Sequence, residues 1–296
     1  MARLKRPSLT RRRLLTAGAG VLGAAAATGA YAAAIEPLEL TVTRYALTPP
    51  GWRPDHKLTI TAIADLHAGG PDMTLPHVRR VVDTAQALQS DLVVLLGDFK
   101  AWYRHFKSEP VADDVWAGEL ARLDAPLGVW AILGNHDWWH DLSGVRAALA
   151  AMRIPVLEND AVLIGPAGRR FWLAGLGDQL AYQLGHGRYR GIDDLPATLR
   201  RVQTDDPIVL LAHEPDIFPI VPDRVTLTLA GHTHGGQIRL PFIWPHFVPS
   251  SYGARFAYGH IVEERRHIIV SGGLGTSIVP ARFGVPPEIV HITLGA

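Results

Sequence analysis

Two histidines stand one residue apart in the segment AGHTHGG, residues 230–236. At this spacing His232 and His234 can both reach one metal centre, and neutral imidazole nitrogen is the commonest side-chain metal ligand. The flanking glycines suit a polar turn equally well. The pair alone leaves both interpretations open, so other polar residues of the chain decide between them.

Four further segments place Asp, Asn or His directly after a short apolar run. In ITAIADLH, Asp65 and His67 stand two residues apart, so in extended chain both side chains point to the same side. In α/β folds ligands bind outside the carboxyl ends of the strands, so these positions predict a single site. The residues that follow the five runs are Asp65, His67, Asp98, Asn135, His136, Asp137, His213, His232 and His234.

Each segment also has an ordinary structural interpretation. Asp65 could cap a helix, and Asp98 could sit in a Gly-Asp turn. Asn135 could close an Asx turn, and His213 could be a satisfied core histidine. The occurrence of all five segments in one chain favours a shared site over a series of unrelated turns.

The elements that must position these residues alternate between strands and helices. Runs rich in Val, Ile and Leu predict strands at 58–64, 92–96, 128–133, 170–175, 208–212, 226–230, 267–271 and 288–294. Apolar residues at helical spacing predict a helix over 75–88 with Thr74 as its N-cap, and further helices near 113–123, 143–152 and 193–202. This alternation predicts an α/β fold with buried sheets, in one domain from residue 36 to residue 296.

Composition limits both the metal and the partner. The chain of 296 residues contains no cysteine, so any metal must bind to histidine, carboxylate, amide or water, a set that suits Mn, Fe or Zn. The first 34 residues hold six of the 29 Lys and Arg and none of the 28 Asp and Glu, which leaves a net charge of −5 on the remainder. Nucleic-acid binding relies on clustered positive charge, so we expect no nucleic-acid partner.

The N-terminal segment has the layout of an export signal. Residues 10–15, TRRRLL, resemble the twin-arginine motif, and an uncharged run rich in Ala and Gly follows over 14–35. Small residues at 30–32 and 32–34 are candidate cleavage sites, although about 20 apolar residues can also span a bilayer as an anchor. We expect residues 1–35 to be a twin-arginine signal that is cleaved or slowly cleaved, with a retained membrane anchor as the alternative. The translocase would then be a partner during export to the periplasm or the outer face of the membrane.

The ordered set D-x-H, G-D, G-N-H-D, H and G-H-x-H resembles the calcineurin-like metallophosphoesterase superfamily, over essentially the whole chain after residue 35. The run GGQIRLP and the tail SGGLGTSIVPARFGVPPEIVHITL resemble its branch of exported bacterial phosphodiesterases. That branch also includes relatives that act on the pyrophosphate of UDP-diacylglucosamine. The resemblance implies a four-layer α/β/β/α sandwich of two stacked mixed sheets flanked by helices, over residues 36–296.

The resemblance also assigns roles to the site residues. It implies that one metal ion is held by Asp65, His67 and His234, and a second by Asn135, His213 and His232. Asp98 would bridge both ions. A hydroxide formed between the ions would attack phosphorus in line, and His136 would stabilise the transition state or protonate the leaving oxygen. Asp137 would either orient the imidazole of His136 through a hydrogen bond or brace the turn.

The expected function is a phosphodiesterase that acts on a lipid-derived or cell-envelope phosphoester. A pyrophosphatase for a nucleotide-linked glycolipid and a phosphomonoesterase are the alternatives within enzymes, and a non-catalytic scaffold disagrees with the intact His136. Apolar loops at 99–106, 138–139 and 240–253 could receive acyl chains, a nucleobase or a membrane surface, or could simply pack over the sheet edge. Arg104, His105 and Lys107 could contact phosphate or be solvated surface charges.

Overall fold

A computed structural model describes residues 11–103, 106, 109–240 and 248–296. The first ten residues of the predicted signal and the apolar loop segment 241–247 lie outside the described residues. The same holds for the predicted phosphate contacts Arg104, His105 and Lys107. The comparison of prediction and structure therefore concerns the remaining chain.

Thirteen strands are present in the described part of the chain, and all eight predicted strands are among them. They are β1 (Thr41–Leu47), β2 (Leu58–Ile63), β3 (Leu92–Leu95), β4 (Val129–Ala131), β5 (Asp160–Ile164), β6 (Phe171–Gly175), β7 (Tyr182–Gly185), β8 (Arg188–Arg190), β9 (Ile208–Leu211), β10 (Leu227–Ala230), β11 (Gly259–Glu263), β12 (Arg266–Val270) and β13 (Glu288–Leu294). The sequence patterns missed β1, β5, β11 and the pair β7–β8. The edge strand β1 is half-exposed, so it lacks the continuous apolar run by which buried strands are found.

Two mixed sheets carry the architecture. The first has the order β1-β13-β2-β3-β4, with parallel pairing throughout except between β13 and β2. The second has the order β11-β12-β10-β9-β6-β5, with a parallel centre and an antiparallel strand at each edge. The short strands β7 and β8 form a separate antiparallel hairpin.

Six α-helices are described, and the four predicted ones are found at shorter or equal length. They are α1 (Arg11–Ala34), α2 (Leu75–Ala87), α3 (Asp113–Leu120), α4 (Asn135–His140), α5 (Leu142–Ala151) and α6 (Leu195–Arg200). Thr74 occupies the N-cap position of α2, but its side chain makes no capping hydrogen bond. The sequence patterns missed α4, whose first residues had been expected only as the end of a strand.

Three separate apolar clusters show how the layers stack. Successive residues of β3 alternate between two of them: Val93 and Leu95 pack with helices α2, α3 and α5, while Leu92 and Val94 pack between the sheets. The third cluster joins the outer face of the second sheet to α6 and the 3₁₀ helix Pro215–Ile220. Three interlayer cores require four layers, and the predicted α/β/β/α sandwich is therefore confirmed.

The N-terminal helix α1 is mostly exposed to solvent, but its end contacts the folded domain. The stretch Leu15–Leu38 is long and apolar enough to cross a membrane, a test that signal sequences near an N-terminus also pass. The carbonyl of Ala32 accepts a hydrogen bond of 2.8 Å from the backbone N–H of Arg282. The ring of Tyr31 meets that of Phe283 edge-on, with centroids 6.3 Å apart.

Candidate metal centre

The predicted site residues converge at one edge of the molecule. Strands β2, β3 and β4 are parallel neighbours in the first sheet, and β9 and β10 are parallel neighbours in the second, so their carboxyl ends meet. All seven predicted metal ligands are buried there: Asp65, His67, Asp98, Asn135, His213, His232 and His234.

One group of donor atoms brings together the ends of β2 and β10. The Nε2 atoms of His67 and His234 lie 3.2 Å apart, and Oδ1 of Asp65 lies 3.8 Å from Nε2 of His234. Nε2 of His67 is 3.5 Å from Oδ2 of Asp98. These separations place histidine nitrogens and carboxylate oxygens around one point, and they match the first predicted ligand set.

A second group lies on the other side of Asp98. Oδ1 of Asn135 is 3.1 Å from Nε2 of His213 and 2.9 Å from Nδ1 of His232. Oδ2 of Asp98 is 3.4 Å from Nε2 of His213. The same carboxylate oxygen therefore neighbours both donor groups, as a ligand shared by two ions would.

The hydrogen bonds behind the histidines show that the groups fit a cation. Nδ1 of His67 faces the carbonyl of Lys100 at 3.3 Å, and Nδ1 of His234 faces the carbonyl of Gly275 at 3.2 Å. Donation from each Nδ1 leaves Nε2 of both rings as an acceptor, and these two lone pairs point toward one another. Two facing acceptors need a cation between them, so the residues present fit a bound metal ion.

The backbone is shaped to aim these side chains. Asp65, His67, Asp98, His232 and His234 all have positive φ, between 46° and 68°. This conformation is uncommon outside glycine and is typical of strained functional sites. Within the same turns the chain segments pass so closely that only glycine fits.

Gly97 and Gly134 allow that close approach. Gly97 has a φ of 89°, and a Cβ there would collide with the backbone nitrogen of Gly134. A Cβ on Gly134 would lie 2.6 Å from a ring carbon of His213. Neither contact is tolerable, so the two glycines keep the turns after β3 and β4 within reach of the second sheet.

The hydrogen bonds of the Asp137 carboxylate distinguish between the two roles predicted for this residue. Its Oδ2 accepts hydrogen bonds from the backbone N–H groups of Asp98 and Gly134, and its Oδ1 accepts from Phe99, each at 2.9 Å. The carboxylate is fully engaged with the backbone, and no hydrogen bond to the described ring of His136 is formed. Asp137 therefore braces the turns that carry Asp98 and Asn135, which favours the second of its two predicted roles.

His136 lies at the open side of the centre. A ring nitrogen of His136 and the donor atoms of His67 and Asp98 lie within 4.8 Å of one another, and its Nε2 is 3.3 Å from Oγ of Ser277. Burial lowers the pKa of His136 to about 3, so the metal-free imidazole is neutral at neutral pH. The ring is partly exposed, unlike the seven predicted ligands. Such a position suits a group that meets the substrate.

The buried charges of the site also favour a cation. Burial raises the pKa of Asp65 to about 7. Burial opposes ionisation of Asp98, but His213 beside it holds the pKa of the carboxyl well below its ordinary value. Burial likewise opposes a charged His213, yet the Asp98 carboxylate raises the pKa of that imidazole well above its ordinary value. In the metal-free protein a proton thus supplies positive charge beside Asp98.

Sequence reasoning missed Arg282, which is fully buried behind the centre. Its guanidinium donates to the carbonyls of Gly272 at 2.9 Å and Gly275 at 2.5 Å, and Nη2 lies 3.4 Å from Nδ1 of His234. Gly275 thus accepts from both Arg282 and His234, which fixes the orientation of this predicted ligand. The sequence does contain one sign of its importance: between residues 267 and 287, Arg282 is the only residue of the types Asp, Glu, Lys and Arg.

Aromatic side chains surround the open side. Trp102 stacks on His140 with centroids 4.4 Å apart, and His140 lies 5.4 Å from the ring of His136. Trp139 stacks on Tyr189 of β8 at 5.4 Å and donates from Nε1 to the carbonyl of Leu180. The predicted apolar loops at 99–106 and 138–139 therefore lie at the mouth of the centre, as far as their residues are described.

Comparison with known proteins identifies the family. The family model described as calcineurin-like phosphoesterase matches residues 58–236, a range that contains all nine predicted site residues. The metallophosphoesterase YkuE of Bacillus subtilis (strain 168) is 32% identical over 301 residues, covering 97% of this chain and 98% of the relative. The phosphodiesterase YaeI of Escherichia coli (strain K12) is 28% identical over 292 residues, covering 97% of this chain and 99% of the relative.

One solved structure is a more distant match. The 5′-nucleotidase precursor from Thermus thermophilus aligns with a TM-score of 0.45 and 15% sequence identity, over 80% of this chain and 54% of that chain. The family match and the relatives of similar length define the class. The chain belongs to the calcineurin-like phosphoesterase family, and it is a metal-dependent phosphoester hydrolase.

Proposed function

We propose that the chain is a dinuclear-metal phosphodiesterase that acts on a lipid-derived or cell-envelope phosphoester. The observation that carries the dinuclear part is the position of Asp98, whose Oδ2 neighbours a histidine of each donor group at 3.5 and 3.4 Å. Similarity to YaeI, which is named a phosphodiesterase, supports the choice of diester. The aromatic mouth supports a substrate with apolar parts.

The donor atoms support Mn, Fe or Zn as the two ions. Each group offers histidine nitrogen with carboxylate or amide oxygen, and the chain has no thiolate to favour softer metals. Asp65, His67 and His234 would hold the first ion, Asn135, His213 and His232 the second, and Asp98 both. Bound there, two divalent ions would polarise the phosphoryl group and lower the pKa of water to roughly 7.

Residues beside the metal ligands orient Asp98 and provide a hydrogen-bond donor for the substrate. The backbone N–H of His136 donates to Oδ1 of Asp98 at 2.8 Å, which leaves Oδ2 directed at the two histidine groups. The ring of His136, neutral in the metal-free protein, stands beside the centre, where its N–H can donate a hydrogen bond to a phosphoryl oxygen. To protonate the leaving oxygen, the ring would first have to take up a second proton. Ser277 at 3.3 Å from Nε2 of His136 holds that ring in place.

We further propose that the enzyme works outside the inner membrane. The twin-arginine-like residues 10–15 and the exposed apolar helix α1 support export of the protein. A substrate on that side of the membrane would be a lipid or another envelope component. A nucleotide-linked glycolipid is a cytoplasmic compound, so an exported enzyme would not meet it.

Hydrolysis rates on two chromogenic esters test the proposal. Purified full-length protein in detergent with added Mn²⁺ is expected to hydrolyse bis(p-nitrophenyl) phosphate faster than p-nitrophenyl phosphate. Asp98→Ala serves as the background, because removing the shared ligand should abolish turnover and metal binding together. Preference for the monoester would overturn the diester assignment, and metal-dependent activity on neither ester would favour a pyrophosphatase instead.

A further inference from the structure

Several exposed apolar side chains lie on the segments that border the mouth of the metal centre. Five of them form what we call the rim: Trp102, Phe106, Leu184, Tyr189 and Ile278. Their exposed fractions run from 43% for Trp102 and Tyr189 to 77% for Ile278. Single exposed apolar residues are ordinary on protein surfaces, but a group of them around a site marks an interaction surface.

Contacts link the rim to His136 from three sides. Trp102 stacks on His140, whose ring lies 5.4 Å from that of His136. On the second side, Tyr189 stacks on Trp139, whose ring is also 5.4 Å from His136. Trp102 and Tyr189 are therefore each one ring removed from His136, so this part of the rim is not a remote patch.

The third side of the rim is held in an unfavourable backbone conformation. Ile278 follows Ser277, which contacts Nε2 of His136, and it has a φ of 66°. A β-branched residue rarely adopts positive φ. Gln237 fixes this segment, because its side chain donates to the carbonyls of Ser277 and Val279 at 3.1 and 2.9 Å. The fold thus presents an apolar side chain to solvent at a conformational cost, which is typical of functional segments.

The hairpin of β7 and β8 adds positive charge to the rim. Every residue from Tyr182 to Arg190 is exposed, and the sequence from 179 to 192 contains no acidic residue. Arg188 and Arg190 lie on β8, and the guanidinium of Arg190 stands 4.6 Å above the ring of Tyr182. Aromatic and aliphatic groups beside arginines are typical of surfaces that enter the headgroup region of a bilayer.

The end of helix α1 meets the same part of the molecule. The carbonyl of Ala32 accepts from the N–H of Arg282, and the N–H of Phe283 donates to the carbonyl of Gln237. Gln237 in turn fixes the segment that carries Ile278. In the uncleaved chain, an apolar helix long enough to cross a membrane therefore ends beside one side of the rim.

We propose that the rim docks on the surface of an anionic lipid bilayer and so presents membrane phosphodiesters to the metal centre. The apolar side chains would enter the headgroup region, and Arg188 and Arg190 would pair with lipid phosphates. This inference rests on the proposed function for its substrate. It adds the partner, which is a lipid surface, and the residues that meet it.

Single labelled cysteines test the docking, because the chain contains no cysteine of its own. Leu184→Cys and Ile278→Cys are each labelled with an environment-sensitive fluorophore in full-length protein reconstituted in vesicles. Val262→Cys is the matched control. Val262 is 50% exposed, as Leu184 is. It pairs with His267 near the start of β12, and the site lies at the opposite end of that strand, so Val262 is away from the rim. Vesicles contain either zwitterionic lipid alone or zwitterionic lipid with anionic lipid.

We expect a blue shift of the label at 184 and 278 in anionic vesicles, a smaller shift at high salt, and no shift at 262. Equal emission from all three labels would overturn the proposal. A shift that depends on protein concentration in detergent without vesicles would also overturn it, since the rim would then bind a second copy. Each labelled variant is also assayed on bis(p-nitrophenyl) phosphate. Hydrolysis without a shift would contradict the docking proposal alone, and a shift without hydrolysis would contradict the phosphodiesterase proposal alone.

Discussion

At the scale of single residues, the histidines of the centre differ in what holds them. The remote nitrogens of His67, His213 and His234 each face a backbone carbonyl, at 3.3, 2.7 and 3.2 Å. Such partners fix the tautomer and the ring orientation of metal ligands. Nε2 of His136 instead faces the side-chain hydroxyl of Ser277, and Nδ1 of His136 has no hydrogen-bond partner among the described residues. The ring of His136 is thus held differently from those of His67, His213 and His234, which agrees with a role toward the substrate.

His136→Ala is expected to retain two metal ions and to lower kcat by about 10²–10⁴, the usual contribution of a positioned acid or base. The metal ions should remain because the contact of residue 136 with Asp98 comes from its backbone N–H, which alanine keeps. Metal content by elemental analysis and kcat on a diester check the two parts separately. His140→Ala is the control, since His140 is exposed and lies one ring further out. Equal kcat in the two variants would remove His136 from the mechanism.

At the scale of elements, the turns after β3 and β4 act as one unit. Asp137, in the first turn of α4, accepts backbone hydrogen bonds from Asp98 and Phe99 in one turn and from Gly134 in the other. Buried N–H groups are costly to leave unpaired, so this carboxylate holds a predicted ligand in place through the backbone. The two turns lie side by side because β3 and β4 pair in parallel, which places their carboxyl ends at the same edge of the sheet.

Asp137→Ala is expected to lower the free energy of unfolding by at least about 3 kcal/mol, because three buried N–H groups lose their acceptor at roughly 1–3 kcal/mol each. Urea unfolding of the metal-free protein measures the change. Asp141→Ala is the control: Asp141 caps α5 through Gly144 and is partly exposed, so its loss should cost only about 0.5–2 kcal/mol. The bracing role is wrong if Asp137→Ala is the milder of the two.

The sequence predicts features whose cause lies in neighbouring residues, and it misses features that arise from packing between distant parts of the chain. Of the strands that precede predicted ligands, β2, β3, β9 and β10 are almost entirely buried and β4 is partly buried, so their apolar runs and the polar residues at their ends are visible in sequence. The exposed hairpin of β7 and β8 has no such pattern. Arg282 reaches the centre from the far end of the chain, and its importance arises only from packing behind His234. The role of Asp137 was open in sequence because orienting its neighbour His136 and bracing the turn were equally plausible.

At the scale of the whole molecule, charge is divided between the two ends of the chain. The first 34 residues carry six positive charges and no negative one, whereas the remainder carries a net charge of −5. A basic segment before an apolar one is the arrangement that export pathways recognise. Helix α1 leaves the folded domain beside the segment that contacts the metal centre. Export would therefore determine both the compartment of the enzyme and the surface that its mouth meets.

We predict that replacing both Arg11 and Arg12 by Lys blocks export. Lysine keeps the positive charge, so the substitution leaves the basic character of the segment intact and removes only the planar guanidinium groups. Fractionation of cells into cytoplasm, membrane and periplasm, with immunodetection of the protein, measures the outcome. Arg3→Lys with Arg6→Lys is the control, because these arginines lie outside the TRRRLL motif and should be dispensable. Normal export of the Arg11 and Arg12 variant would contradict a twin-arginine route, whereas retention of both variants would show that the requirement for arginine extends beyond the TRRRLL motif.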